Sequence, residues 1–115
     1  MLKPLLASVL LASVASHVLG ADGSHSSGPA TIEIRTFQFA PDTARVAVGA
    51  SIRWTNQDDI EHTVTSGLPT TRDDRFHAVL AKKGASYEAT LREPGSYAYF
   101  CDRHQFMRGT ITVTN

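Results

Sequence analysis

The sequence predicts an all-β protein in which short strands pack as an antiparallel sandwich or barrel. Runs of alternating apolar and polar residues recur along the chain, separated by turns rich in Gly, Pro, Asn and Asp. Beyond the amino-terminal segment, no stretch keeps helical periodicity over the length of an ordinary helix. The chain has 115 residues, which suits one domain of two packed sheets with about seven or eight strands.

The amino-terminal segment, residues 1–21, is predicted to be a signal peptide. Lys3 gives a positive start, and a run of apolar or small residues from Leu5 to Val14 precedes the small residues of a cleavage site. The alternative is a membrane anchor, but the run is shorter than the ~20 residues that a spanning helix needs. We therefore expect export followed by cleavage near residue 21.

The remaining chain divides into a short linker and one domain. Residues 22–30 are small and polar, which predicts a flexible linker, and residues 31–115 form the predicted domain. Within 31–40 apolar residues alternate, but the step from Thr36 to Phe37 shifts the phase and indicates a bulge. Three further strands are predicted in the first half, at 45–48, 51–55 and 60–65, with turns at 49–50 and 56–59.

The second half of the domain contains an irregular stretch followed by three strands. Residues 66–84 show no clean period, which predicts a long loop with a short helix or strand at 76–81 as its only regular part. Strands are predicted at 86–91, 97–101 and 109–114, with a Pro-Gly turn at 94–95. In the middle one of these strands, Tyr97, Tyr99 and Cys101 fall on one face.

The balance of charge and the single cysteine restrict the function. Acidic and basic residues number 11 each, so no bulk charge favours nucleic acid or an anionic membrane surface. An exported protein meets an oxidising environment in which disulfides persist. Cys101 is the only cysteine and has no internal partner, so a role as metal ligand is favoured over chance burial or intermolecular pairing.

A cluster of soft donors follows that cysteine. Cys101, His104 and Met107 have the spacing Cys-x₂-His-x₂-Met on a loop between two predicted strands. Two histidines, one cysteine and a weakly bound methionine are the ligands of a blue-copper electron-transfer site. His62 is the best candidate for the second histidine because it follows a polar turn and lies at a strand end. The sequence therefore predicts one copper ion held by His62, Cys101, His104 and Met107.

Each of these residues alone has a more ordinary explanation. A lone cysteine or methionine is more often a buried apolar side chain, and a lone histidine more often a surface or hydrogen-bonding group. Zinc is the main chemical rival, since cysteine and histidine also bind zinc, but a methionine ligand favours copper. His77, in the irregular stretch, and His25, in the linker, are expected not to bind the metal.

Several motifs in the same order resemble a known family. In chain order they are Phe37-Gln-Phe39 with Pro41, Val46-Ala-Val48-Gly49, Ile52-Arg-Trp54-Thr-Asn56 with Asp58 or Asp59, His62-Thr-Val64, Pro94-Gly95-Ser-Tyr97-Ala-Tyr99 and Cys101-Asp-Arg-His104-Gln-Phe-Met107-Arg-Gly109. On these motifs the chain resembles the cupredoxins, the type 1 blue-copper proteins. The very short ligand loop is most similar to that of the amicyanins, with plastocyanins and pseudoazurins as wider relatives.

The resemblance implies a fold, a set of roles and a class of partner. The fold is a Greek-key β-sandwich, in which His62 and His104 bind copper through ring nitrogens, Cys101 is the thiolate and Met107 the long axial ligand. His104 would be the ligand at the solvent edge, and Phe106 would belong to an apolar rim that docks the partner. The implied function is a monomeric, non-enzymatic one-electron carrier in the periplasm, between redox proteins such as a dehydrogenase and a c-type cytochrome.

Three departures from the family pattern bear on the site. Thr63 stands where the family usually has Asn, a residue that ties the two ligand segments together, and its hydroxyl is expected to donate in its place. Arg103 and Gln105 stand where amicyanins have prolines, which predicts a more polar and less stiff loop. Arg103 and Arg108 would attract an acidic partner unless they are simply solvated.

Two other functions compete with electron transfer. A copper-delivery protein would also use histidine and methionine ligands, but it should release Cu(I) readily. A copper enzyme needs further metal centres, and the few histidines left outside the predicted site make a second centre hard to assemble.

Overall fold

Two β-sheets pack face to face in the computed structural model, which describes residues 30–115. The predicted signal peptide, residues 1–21, and the linker as far as residue 29 lie outside the described residues. Within the described range, no helix is long and apolar enough to cross a membrane. The strands in this range are β1 (Ala30–Arg35), β2 (Gln38–Ala40), β3 (Thr43–Ala47), β4 (Ser51–Asn56), β5 (His62–Leu68), β6 (Thr71–Leu80), β7 (Ser86–Thr90), β8 (Gly95–Phe100) and β9 (Arg108–Thr114).

The strand order confirms the sandwich and corrects one detail of the prediction. One sheet has the order β2-β1-β4-β7 and the other β3-β9-β8-β5-β6. Most neighbours are antiparallel, but β1 runs parallel to β4 and β3 runs parallel to β9. Both sheets are therefore mixed, because alternation along a strand marks its buried face and carries no information about the direction of its neighbour.

The core lies between the sheets and is built from the alternating positions of both. Trp54 is fully buried at its centre and contacts the rings of Phe76, Tyr87 and Tyr99 at 5.4–5.8 Å between centroids. Ring pairs at such distances add stabilisation beyond that of buried area alone. The other fully buried apolar side chains between the sheets are Ile32, Ile34, Val46, Ile52, Val64, Tyr99, Cys101 and Ile111.

The first predicted strand is divided by a tight turn. Thr36 and Phe37 have φ angles of 52° and 57°, and Arg35 pairs with Gln38 across them. Positive φ at both central residues is the pattern of a type I′ hairpin turn. The predicted bulge at this step is therefore wrong: the phase shift marks the two residues that reverse the chain between β1 and β2.

The predicted loop at 66–84 is wrong over its first half, because β5 continues to Leu68 and β6 begins at Thr71. The short helix or strand predicted at 76–81 is the second half of β6, which ends at Leu80. Alternation is missing since the first half of β6, Thr71–Arg75, is exposed at an edge of the sheet. The ladder shifts register between Thr65 and Gly67. Gly67 has a φ of 99°, and a Cβ there would lie 2.5 Å from the Thr71 carbonyl oxygen, so only glycine fits this irregularity.

The strand ends that matter for the site meet at one end of the five-stranded sheet. His62 is the first residue of β5, and Cys101 directly follows β8. The β8–β9 hairpin is closed by the pair Phe100 and Arg108, which fixes both ends of the 101–107 loop. The loop and the start of β5 are thus carried by neighbouring strands.

Candidate metal centre

Three of the predicted ligands lie together at this end of the sandwich. The Sγ of Cys101 is 3.8 Å from Nδ1 of His62 and 3.7 Å from Nδ1 of His104. All three donor atoms lie within 4.8 Å of one another. His62 and Cys101 are fully buried, whereas His104 is partly exposed. Met107, the fourth predicted ligand, is 2% exposed and ends the same loop.

Backbone hydrogen bonds tighten the ligand loop. The N–H of Cys101 donates to the Met107 carbonyl at 3.2 Å, and the N–H of Met107 donates to the His104 carbonyl at 2.9 Å. The Arg108 side chain donates from Nε to the Gln105 carbonyl at 2.7 Å. These bonds satisfy backbone groups of a loop without prolines, so its shape depends on hydrogen bonds rather than on restricted φ angles.

His62 is oriented by a carboxylate behind it. Its Nε2 lies 2.8 Å from Oδ2 of Asp58, whose side chain is 13% exposed. A ring that donates from Nε2 to this carboxylate presents the lone pair of Nδ1 to the other donors. Asp58 is placed in turn by Asn56, a buried residue whose Oδ1 accepts the Asp58 N–H at 2.9 Å.

Asp58 also accepts two backbone hydrogen bonds from the β1–β2 turn. Thr36 N–H donates to Oδ1 at 2.7 Å and Phe37 N–H donates to Oδ2 at 3.0 Å. Burial acts to raise the pKa of Asp58, but the bonds from Phe37, Thr36 and His62 outweigh it and the pKa lies below its usual value. The group therefore holds its negative charge next to His62.

Thr63 links the two ligand segments, but its hydroxyl accepts a hydrogen bond where it was expected to donate one. Its hydroxyl accepts the Asp102 N–H at 2.7 Å, and its own N–H points at Sγ of Cys101 at 3.4 Å. The hydroxyl is 3.0 Å from that of Thr65, which is 2.9 Å from Nδ1 of His77. His77 lies on β6 outside the donor cluster and ends this chain of hydrogen bonds.

Aromatic rings surround the two ligand imidazoles. Phe37 lies edge-on to both, with centroid distances of 5.3 Å to His62 and 5.0 Å to His104. Phe106 is 72% exposed and lies 6.3 Å from the His104 ring. A groove of about 430 Å³ runs between Phe37 and Phe106 and reaches Met107.

The charged residues of the loop are paired with the body of the protein. Arg103 forms an ion pair with Glu61, and Asp102 forms one with Arg72, which also lies over the Phe100 ring. Arg103 therefore does not present an unpaired charge, which differs from the expectation that it would attract an acidic partner. Exposed pairs of this kind contribute little to stability, at most about 1 kcal/mol each.

The sequence prediction gave no role at the metal site to Asp58 or Phe37, although both belong to the motifs shared with the family. Asp58 precedes His62 by four positions. This spacing predicts a side-chain contact within a helix, but it predicts none for residues joined by an irregular turn. Phe37 belongs to the other sheet, and its position depends on a backbone conformation rarely adopted by residues other than glycine. Neither contact has a signal in the order of the residues.

The donor set and its spacing fit a copper ion. An ion about 2.3 Å from sulfur and 2.0 Å from nitrogen at ordinary angles separates the two donors by about 3.5–3.7 Å. The observed separations of 3.7 and 3.8 Å agree with this without rearrangement. A buried thiolate, two imidazoles and a nearby thioether are donors that select copper over hard cations such as magnesium or calcium.

Comparison with known proteins gives related sequences and folds. Residues 27–114 match the family described as "Copper binding proteins, plastocyanin/azurin family". An amicyanin from Paracoccus versutus is 29% identical over 82 residues, which are 71% of this chain and 62% of that protein. A plastocyanin from Dryopteris crassirhizoma is 28% identical over 94 residues, covering 70% of this chain and 92% of that protein.

A solved structure agrees with the fold. The purple cupredoxin from Nitrosopumilus maritimus superposes with a TM-score of 0.68 at 25% identity. The superposition covers 74% of this chain and 99% of that one.

Proposed function

Since the chain belongs to the plastocyanin/azurin family of copper-binding proteins, we propose that it carries single electrons between two redox proteins of the periplasm. His62, Cys101 and His104 hold the copper ion, with Met107 as a weak axial ligand. The observation that carries this proposal is the approach of three donor atoms to within 4.8 Å, although His62 precedes Cys101 by 39 positions in the sequence. Export through the segment 1–21 supplies the compartment.

The protein groups around the site suit electron transfer. Copper, when bound, supplies a one-electron Cu(I)/Cu(II) couple. Asp58 fixes the ring of His62, and the Thr63 N–H faces the sulfur of Cys101. Donors fixed in this way need little movement when the charge of the site changes, which favours fast transfer.

His104 is the side of the site that faces a partner. It is the only one of the three clustered donors that is partly exposed, and Phe106 beside it is 72% exposed. A partner that covers Phe106 comes within reach of the His104 ring. By resemblance to the amicyanins, the donor is a dehydrogenase and the acceptor a c-type cytochrome, and the carrier acts as a monomer.

Burial of the donors favours retention of copper over its delivery. A delivery protein hands its ion to an incoming ligand, which requires open access to the donors. Here His62 and Cys101 are both 0% exposed, so two of the three clustered donors are closed to an incoming ligand.

Absorption and EPR spectra of the copper-loaded protein test the proposal. We expect an intense visible band from thiolate to Cu(II) in the wild type and its loss in Cys101→Ser. His77→Gln is the matched control, because it removes a histidine that lies outside the cluster, and it should keep the band. A colourless oxidised wild type would contradict the proposal, as would rapid transfer of Cu(I) from the wild type to a chelator.

A further inference from the structure

The β1–β2 turn has an unfavourable backbone at two adjacent positions. Thr36 and Phe37 have φ angles of 52° and 57°. Turns of this pattern are usually formed by Asn-Gly or Gly-Gly, which adopt positive φ at little cost. Threonine is β-branched and phenylalanine is bulky, so a left-handed conformation is a true outlier for both. Such strain persists only where surrounding contacts impose it.

One carboxylate imposes this conformation and connects it to a metal ligand. Asp58 accepts the N–H of Thr36 and the N–H of Phe37, at 2.7 and 3.0 Å. The same carboxylate lies 2.8 Å from Nε2 of His62. The turn on one sheet and the first ligand on the other are therefore held by the same group.

The turn brings the Phe37 ring onto both ligand imidazoles. The ring meets His62 and His104 at interplanar angles of 88°, with centroids 5.3 and 5.0 Å away. The two imidazoles are 5.1 Å apart, so the three rings form a closed triangle. Phe37 is 37% exposed while His62 is fully buried, so the phenyl ring lies on the solvent side of that ligand.

We propose that Phe37 is a positioning residue of the copper site. The strained turn holds the phenyl ring against His62 and His104, where it restricts rotation of both imidazoles and keeps water and small ligands from the donor atoms. Phe106 does not share this role, because it approaches His104 alone and is mostly exposed. The proposal rests on the proposed function in that it requires copper at His62, Cys101 and His104.

Two substitutions separate the ring from the backbone strain. Thr36→Asn relieves strain at the first turn position and keeps the phenyl ring, so it is the matched control. We expect a higher denaturation midpoint for its metal-free form and unchanged copper spectra. Phe37→Gly removes the ring, and we expect transfer of copper to bicinchoninate about tenfold faster than in the wild type. Azide should also change the Cu(II) spectrum of this variant at concentrations that leave the wild type unchanged.

The outcomes distinguish this proposal from the proposed function. A wild type without the blue-copper spectrum overturns the proposed function itself. A blue wild type whose copper transfer rate and azide response are matched by Phe37→Gly overturns only the role of Phe37. A midpoint for Thr36→Asn at or below that of the wild type overturns the claim that the turn is strained. If Phe37→Gly does not fold, Phe37→Leu is used in its place, because it removes the ring contacts but keeps an apolar side chain. Copper transfer from Phe37→Leu as slow as from the wild type would again overturn the proposal.

Discussion

Asp58 accepts three hydrogen bonds, which together order two parts of the copper site. Two come from the turn that carries Phe37 and one from His62. A carboxylate behind a ligating histidine fixes its tautomer and ring orientation and makes the ring a better donor. One partly buried acidic group therefore combines the functions of turn cap and ligand support.

Replacement of Asp58 tests this support. Asp58→Asn leaves one oxygen to accept bonds and turns an NH₂ toward groups that are themselves donors. We expect copper affinity to fall by about 10–100-fold, as measured by competition with a chelator of known affinity. Asp59→Asn, at the exposed neighbouring position, should change it little. Equal affinities in the two variants would contradict the role given to Asp58.

Tyr99 makes stability depend on pH in the alkaline range. Burial raises the pKa of its phenol well above the usual value. Neither this hydroxyl nor the indole N–H of Trp54 has a hydrogen-bond partner within the described residues. The unfolded chain loses the proton near pH 10, while the folded protein keeps it. The contribution is therefore complete below about pH 10, and the free energy of unfolding decreases as pH rises above it.

Tyr99→Phe should flatten this decrease. The variant removes the titrating group together with a buried hydroxyl that has no partner among the described residues, so stability at pH 7 should be equal or higher. Denaturant unfolding of the metal-free protein at pH 7 and pH 11 measures both effects. Tyr97→Phe is the comparison, because its hydroxyl donates to the Glu93 carbonyl at 2.6 Å and its loss should cost about 1 kcal/mol at pH 7. An unchanged alkaline decrease in Tyr99→Phe would contradict the assignment.

The residues of the site that lie close to one another in the sequence were the easiest to predict. Cys101, His104 and Met107 were found from their spacing, and the structure brings His62 to the first two of them. Asp58 and Phe37 were missed because their contacts depend on a turn whose backbone no propensity favours. The link between the ligand segments through Thr63 was predicted correctly. The direction of its hydrogen bond was not, because that direction depends on which neighbouring group offers an N–H.

Among the elements, β5 contributes most to the site, since it carries a ligand and the residue that ties the ligand loop. Thr63 is 4% exposed and holds the Asp102 N–H. Thr65 continues the hydrogen bonds to His77 on β6. Through these side chains the ligand loop is connected to two neighbouring strands.

Substitutions at Thr63 test the connection. Thr63→Val keeps the shape but leaves the Asp102 N–H without its acceptor, which should lower the free energy of unfolding by about 1–3 kcal/mol. The copper spectrum should shift as well, because Asp102 adjoins the thiolate. Thr63→Ser retains the hydroxyl and should stay close to the wild type in both measurements. A valine variant as stable as the serine variant would show that the bond is unimportant.

The elements themselves were predictable where one face is buried. Strands β3, β4, β7, β8 and β9 lie close to their predicted ranges because their apolar residues alternate. Of the long strand β6, only the second half was predicted, as a short helix or strand at 76–81. The first half was missed because it is exposed and needs no apolar face. The parallel pairs β1–β4 and β3–β9 depend on the order of strands in space, which alternation does not encode.

At the scale of the molecule, the comparisons confirm the cupredoxin family and copper as the cofactor. The donors come from elements that pack directly against one another: β5 and the β8–β9 hairpin share one sheet and one core. The Cys101 side chain belongs to that core as well as to the site. The arrangement of the donors is thus a property of the folded chain.

The metal-free protein should therefore fold. We expect it to keep its far-ultraviolet circular dichroism and to unfold cooperatively, at a lower midpoint than the loaded form. Free copper at 1,000 times its dissociation constant should stabilise the folded state by about 4 kcal/mol. Cys101→Ser, with a weakened site, should gain much less from added copper. Loss of cooperative unfolding on removal of copper would contradict a preformed site.

The charges on the outer strand have a consequence for behaviour at high concentration. β6 forms an edge of the five-stranded sheet, and its exposed first half carries Arg72, Asp73, Asp74 and Arg75. A strand from a second molecule that added to this edge would have to displace the water around these groups and break the pairing of Arg72 with Asp102. The exposed, charged first half of β6 thus opposes the addition of further strands to this edge, and with it fibrillar aggregation.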